Sequence, residues 1–199
     1  MVVLRPYRAE DLDALYRVCL ATGDAGKDAT ALHHDPKAVG AVYAAPYGVL
    51  EPDHAFVAED ERGVSGYIVG TYDSTEFAER EERDWWPALR AHYASVPAER
   101  LTTADRERIG AMMAPSSNPA HIVAGYPAHI HMNLLPHLRG QRVGSGLLKL
   151  WLDQARADGV RGVHLGANAG NAGGIAFWTA SGFKPLEIIG RTAWFGMKL

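Results

Sequence analysis

From Ala9 to Leu20 the apolar residues Leu12, Leu15, Tyr16, Cys19 and Leu20 fall on one face of a helix, with Gly23 as its stop. A short apolar run, Val2–Leu4, precedes it, and Pro36–Ala45 reads as a second short helix opened by proline in its first turn. Two β-rich runs follow, His54–Glu59 and Val64–Tyr72, joined by Asp60-Glu-Arg-Gly63, which predicts a hairpin. Ala128–Leu135 alternates cleanly: His129, His131 and Asn133 on one side, Ile130, Met132 and Leu134 on the other, until Pro136 ends the strand. Leu147, Leu148, Trp151, Leu152 and Ala155 then form the stripe of a helix that stops at Gly159. Gly162–Ala167 is a further strand, Gly174–Ser181 a short helix ended by Gly182, and the tail from Leu186 supplies one or two last strands.

Between residues 74 and 127 the pattern changes. Ser74–Ala94 and Thr102–Met113 are charged and helical in period, separated by Pro97 and closed by Pro115-Ser-Ser-Asn-Pro119. Neither carries enough apolar residues for its own core, so the stretch reads as a helical insertion in a single domain, residues 1–199.

Composition narrows the partners. A formal charge of −3 argues against nucleic acid, which ordinarily requires a basic face. No segment approaches the ~20 apolar residues of a membrane span, and no charged-then-apolar start marks a signal peptide. The lone Cys19 has no intramolecular disulfide partner and lies on the apolar face of its helix, as a buried structural thiol does. These features point to a cytoplasmic chain with neither membrane nor nucleic-acid partners.

Candidate chemistry concentrates in His137-Leu-Arg-Gly-Gln-Arg-Val-Gly-Ser-Gly-Leu-Leu-Lys-Leu-Trp-Leu152. Strand, glycine-rich turn and helix together aim free backbone N–H groups and the helix dipole at an anion, and Ser145 adds a hydroxyl. A P-loop requires Gly-Lys-Ser/Thr, whereas Lys149 lies a turn into the helix. A dinucleotide fingerprint requires G-x-G-x-x-G, and the order here is G-x-x-x-G-x-G.

Gln141-Arg-Val-Gly-Ser-Gly146 instead resembles the Q/R-x-x-G-x-G/A signature of the GNAT N-acetyltransferases. The strand ending in Pro136, the Arg139-Gly140 lead-in, Asn171, and Ala176-Phe-Trp-Thr-Ala-Ser-Gly-Phe183 resemble further landmarks of that family in the same order. "RPYRAEDLDALYRVC", "FVAEDERGVSGYIVGTYD", "DWWPALRAHY" and "YPAHIHMNLLP" are similar to the acetyltransferase-like C-terminal domain of the O-GlcNAcases and its free-standing bacterial relatives, insertion included. The resemblance implies an α/β GNAT fold: a central mixed, mostly antiparallel twisted sheet flanked by helices, with the insertion between the third and fourth strands.

It also implies acetyl-CoA as cosubstrate. The pyrophosphate would lie on the amides of Arg142, Val143, Gly144, Ser145 and Gly146 behind Gln141, and the pantetheine would run along the backbone of Leu134 and Leu135. Asn171 would contact that arm, with Phe177 and Trp178 alongside. Arg142 stands where the family usually has glycine. Transfer to an amine requires a neutral nitrogen, an oxyanion donor and a proton for the departing thiolate. The family often takes that proton from a tyrosine four residues before the Gly of the Gly-Phe pair; here that residue is Trp178, which is no acid.

For the base, His129, His131, Asn133, Asp73 and Glu76 are candidates. His131 stands out because imidazole titrates near neutrality and its strand face meets the expected thioester. Both histidines also fit as hydrogen-bonded core residues, and no nearby third ligand supports a metal site. Trp85, Trp86 and Tyr93 read as core packing, Glu76–Asp84 as a solvated helix face, and His33-His34 as surface loop. Two functions follow: an acetyltransferase acting on an amine, either a protein lysine or a small molecule, or a weak or inactive acetyl-CoA-binding module that docks a partner or ligand in the acceptor cleft.

Overall fold

Alternate residues of each central strand enter two different cores, and this sets the layering. The computed structural model describes all of residues 1–199. In chain order the elements are β1 (Val3–Pro6), α1 (Leu12–Leu20), α2 (Ala38–Tyr43), α3 (Ala45–Leu50), β2 (Ala55–Asp60), β3 (Gly63–Thr71), α4 (Ser74–Arg80) and α5 (Trp86–Ala94). They continue with α6 (Thr103–Met113), α7 (Ala120–Gly125), β4 (Ala128–Leu134), α8 (Val143–Ala157), β5 (Gly162–Asn168), α9 (Ala172–Ala180), β6 (Lys184–Ile189) and β7 (Thr192–Lys198). The strands form one seven-stranded sheet in the order β1-β2-β3-β4-β5-β7-β6, antiparallel everywhere except between β4 and β5.

Phe56, Ala58, Ile68 and Ile130 point to one face, where they pack with Leu147, Leu148, Trp151 and Leu152 of α8. Trp151 is the keystone: its ring is fully buried and its Nε1–H donates to the His54 carbonyl at 3.1 Å, so its one polar group is satisfied. On the opposite face Ala55, Val57, Tyr67 and Val69 pack with Leu15, Val18 and Cys19 of α1 and with Tyr47 of α3. The alternation read along Ala128–Leu135 holds, with the two histidines and Asn133 on this second face.

The hairpin, the α8 stripe and the mostly antiparallel sheet follow the sequence expectation. Three stretches differ. Residues 45–50 form a helix that periodicity misses, because Pro46 and Gly48 interrupt its apolar pattern. Ser74–Ala94 is two helices joined by a π turn, Glu81–Trp85. Pro87 has no N–H to give and crowds the carbonyl four residues back, so the regular helix cannot run through. A further short helix, α7, precedes β4.

The inserted helices carry a small core of their own against α2: Ala38 and Ala41 meet Trp86, Tyr93 and Met112. The packing role of Trp86 and Tyr93 is thus as expected. His33 is not a surface residue. Its side chain is 4% exposed and its Nδ1–H donates to Asp105 at 2.8 Å, which ties the loop after α1 to α6.

Candidate active site

The geometry of the site begins with a partial strand pair. β4 is matched to β3 along its length, from Gly66↔Leu134 to Thr71↔His129. On its other side only Ala128 and His129 pair with β5, opposite Val163 and His164. From Ile130 onward the two parallel strands diverge, and a wedge opens between them. Two clefts border successive stretches of β4, one lined by His129, Ile130 and His131 and the other by Met132, Asn133 and Leu134.

The first cleft, about 700 Å³, is bounded by Met132, Asn133 and Leu134, by the glycine loop at the start of α8, and by Asn171, Gly174, Phe177 and Trp178 of α9. Its charge is one-signed: Lys27, Arg139 and Arg142 line it, and no carboxylate does. Arg142 adopts the left-handed conformation, φ 62°, that its position demands, so the turn accepts a side chain where glycine would relax it. The glycines differ in purpose. A Cβ on Gly144 would sit 3.2 Å from Leu134 and 3.3 Å from Phe177, so this residue lets the loop backbone approach the cleft. A Cβ on Gly146 would meet Leu4 at 2.5 Å, so that glycine serves helix–sheet packing and does not line the cleft.

The structure distributes the other expected cofactor residues unevenly. Arg142, Val143, Gly144, Ser145, Leu134, Asn171, Phe177 and Trp178 all line the first cleft. Gln141 turns away, its amide donating to the His137 carbonyl. Leu135 has no free backbone group, because its N–H donates to Ser65 O and its carbonyl accepts from Leu138. Asn171 caps α9 through Gly174 N–H at 2.9 Å while facing the cleft. Sequence reasoning missed the roof: Ala25, Gly26 and Lys27, held down by Arg139, whose Nη2 donates to Gly26 O at 2.7 Å. These features suit a polyphosphate-bearing cosubstrate: free N–H groups at a helix start, cations around them, and a close backbone.

The second cleft, about 880 Å³, lies between the sheet and the inserted helices. Tyr43, Tyr47, Phe77, Trp86 and Trp194 supply aromatic walls, while His129, His131 and His164 come from the strands. Glu79, Glu81 and Glu82 line it, and no lysine or arginine does. The charge pattern is therefore the reverse of the first cleft.

The expected catalytic residues are not gathered in one place. His131 is in the second cleft, half-buried against the rings of Tyr43 and Tyr47, and burial pushes its imidazole down to about 4. Asn133 faces the first cleft with its amide committed: Tyr67 donates to its Oδ1 at 3.1 Å and it donates to Thr22. Asp73 lines neither. Its carboxylate caps α4, accepting from Thr75 N–H at 2.9 Å and Glu76 N–H at 3.1 Å, so the strand-end acid is a helix cap. Cys19 is buried and its thiol is pushed up to about 11 by desolvation, as a structural cysteine should be.

His129 is satisfied on both nitrogens. Ser74 Oγ donates to the Pro127 carbonyl at 2.6 Å, which leaves it to accept from His129 Nδ1–H at 2.7 Å. Tyr47 then donates to Nε2 at 2.6 Å. Burial holds this imidazole neutral and pushes the Tyr47 phenol well above its usual range, so the chain is fixed in one direction. His164 is different. Its Nδ1–H donates to Tyr126 O at 2.6 Å, while its Nε2 is buried and has no partner.

Comparison with known proteins agrees with this architecture. The chain is 26% identical to the Protein O-GlcNAcase of Rattus norvegicus over 160 residues, 80% of this chain but only 17% of that protein. It is 32% identical to SsHAT, whose crystal structure superposes with a TM-score of 0.84 over 99% of this chain and 98% of the other. The PaiA N-acetyltransferase of Thermoplasma acidophilum, solved in complex with coenzyme A, shares the fold at 14% identity and a TM-score of 0.59, over 100% of this chain and 99% of the other. The pattern of the Acetyltransferase (GNAT) family matches residues 27–183, from the roof of the first cleft to the turn after α9, and the chain belongs to that family.

Proposed function

We propose that the protein transfers the acetyl group of acetyl-CoA to an amine, the cosubstrate entering the first cleft and the acceptor the second. The observation that carries this reading is that a cation-lined and a carboxylate-lined cleft border consecutive residues of β4, Met132 and His131, where the strand has lost its pairing with β5. The amides of Val143, Gly144 and Ser145 would hold the pyrophosphate, with Lys27 and Arg142 as counter-charges. The unpaired edge of β4 beyond His129 offers backbone groups to an extended amide-bearing arm, as a missing strand would. That a protein of the same fold, the Thermoplasma PaiA N-acetyltransferase, is solved in complex with coenzyme A supports the choice of cosubstrate.

His131 fits a different part of the reaction from the one its sequence position suggests. An imidazole at about 4 would take a proton from an alkylammonium near 10.4 only uphill, by about 9 kcal/mol. Neutral at working pH, it accepts a hydrogen bond and orients the nitrogen. His131→Ala is expected to raise the amine KM about tenfold, the worth of one hydrogen bond to a charged group, with kcat changed less and acetyl-CoA affinity unchanged. A hundredfold loss in kcat at constant KM would restore His131 as the base.

The direct test combines calorimetry with acetyl-CoA and release of the CoA thiol across butylamine, 1,4-diaminobutane, lysine peptides and amino sugars. Saturable binding together with turnover of at least one amine is the expected result. Trp178 supports a second reading. It is packed between Phe177 and Phe183 and brings no acid to the thiolate. Tight binding with no turnover of any amine would make the protein an acetyl-CoA-binding module with a docking cleft.

A further inference from the structure

We propose that Glu81 binds the acceptor's ammonium group and takes its proton, and that the acceptor is a primary alkyl amine that arrives as a cation. This rests on the transfer reading above and assigns the acceptor half of that site.

Of the three carboxylates lining the second cleft, only Glu81 is sheltered and free. Glu82 is exposed and accepts both terminal nitrogens of Arg90, at 2.9 Å for the longer contact. Glu79 is exposed. Glu81 is half-buried, lines the cleft, and its carboxylate makes no hydrogen bond within the protein. Its placement follows from the π turn. Phe77 and Trp86 are both buried, and Glu81 lies four residues after the first and five before the second. An α-helical spacing followed by a π spacing keeps all three on the inner face, so the wide turn directs a carboxylate inward between two aromatic residues.

Acceptors stand beside Glu81 on the strand side of the cleft. His164 Nε2 is a buried lone pair without a partner on the β5 side of the cleft, and the His131 ring makes no hydrogen bond in the protein. The Tyr47 hydroxyl is spent on His129. A guest with several donors and a positive charge suits the Glu81 carboxylate and these acceptors, and the aromatic residues Trp86 and Trp194 in the lining suit the same guest. A neutral alcohol, with one donor, leaves the carboxylate uncompensated.

The chemistry balances. The ammonium passes one proton to the Glu81 carboxylate. The freed nitrogen lone pair forms the new N–C bond to the thioester carbonyl, the C–S bond breaks, and CoA departs as thiolate. The second proton lost by the nitrogen neutralises that thiolate, and Glu81 returns its own to solvent.

Burial, with a smaller push from Glu82, raises the Glu81 carboxyl to about 8, which suits a base for an alkylammonium. His129, His131 and His164 are pushed down by burial, Glu82 is held down by Arg90, and Tyr47 is pushed up. Glu79 is exposed, and Tyr43 accepts from Arg108 at 2.6 Å.

The test is Glu81→Gln, with Glu81→Asp beside it. Each is assayed with the alkyl amine of the panel above that turns over fastest and with its alkoxyamine counterpart, whose nitrogen is unprotonated at neutral pH. For the alkyl amine, kcat/KM of Glu81→Gln should fall by about a hundredfold or more, and the acid limb near pH 8 should vanish. The alkoxyamine should lose less than about threefold, since its proton is already gone, and acetyl-CoA binding should be unchanged. Glu81→Asp, retaining a carboxylate, should recover part of the alkyl amine activity. Equal losses for both amines, or an unchanged pH profile, would overturn the assignment of Glu81 while leaving acetyl transfer intact. A wild-type protein that binds acetyl-CoA and acetylates no amine would overturn the transfer reading itself.

Discussion

Gly144→Glu is expected to fold and to lose acetyl-CoA affinity by about a thousandfold or more, the cost of two or more charge-assisted backbone hydrogen bonds. The added Cβ would lie 3.2 Å from Leu134 Cδ1, 3.3 Å from Phe177 Cε2 and 3.4 Å from Met132 Cε. Leu134 and Met132 meet it with the ends of flexible side chains, and a shift of a few tenths of an ångström accommodates it. The carboxylate beyond lies in a cleft lined by Lys27, Arg139 and Arg142, where it competes with an incoming pyrophosphate for the same cations. It also places a negative charge against the free amides that the phosphate would use. Gly144→Ala separates the two effects: it adds the Cβ without the charge and should retain most of the affinity. Calorimetry that finds the Glu variant unimpaired would remove the phosphate cradle from this loop.

The parts of the site that were legible in the sequence are those written in local spacing. The alternation of His129, Ile130, His131, Met132 and Asn133 identifies a strand with two different faces, and the glycine run identifies a backbone that must come close to something. The family resemblance then implies the cosubstrate and a mixed, mostly antiparallel sheet. What the sequence left dark depends on contacts far apart in the chain. Tyr47 and His129 are 82 residues apart, and the helix that carries Tyr47 has no readable period because Pro46 and Gly48 break it.

Glu81 was hidden for a different reason. In a run as acidic as Glu76-Phe-Ala-Glu-Arg-Glu-Glu-Arg-Asp84, a 3.6-residue period does not identify which carboxylate faces inward once a π turn shifts the phase. The same limit applies to Asp73. A strand-end acid beside a cleft looks catalytic in one dimension, but in three its carboxylate is consumed by the two free N–H groups it caps.

The misreading of His33 leads to the largest expected effect on stability. Asp105 is completely buried, and its carboxylate accepts from His33 Nδ1–H at 2.8 Å, His34 N–H at 3.1 Å and Thr102 N–H at 3.0 Å. It joins the loop that roofs the first cleft to a helix of the insertion that walls the second. Asp105→Ala leaves three donors without their acceptor and removes one half of the α6 capping box, so it is expected to cost about 3–5 kcal/mol. The effect should depend on pH with a definite sign. Burial alone pushes the Asp105 carboxyl up, but the hydrogen bonds from Thr102, His33 and His34 outweigh it and hold the group below its usual range. A folded-state pKa lower than the unfolded one adds stability above the unfolded value, about 3.9, and that contribution is lost as pH falls through the folded value. Urea melts of the two proteins should therefore be far apart at pH 7 and converge below about pH 4. Coincident melts at pH 7 would show that the buried carboxylate does not hold the two clefts together. The wide gap would show that it does, and that the Thr102–Leu32 and Tyr93–Asp35 hydrogen bonds between the same loop and the insertion do not replace it.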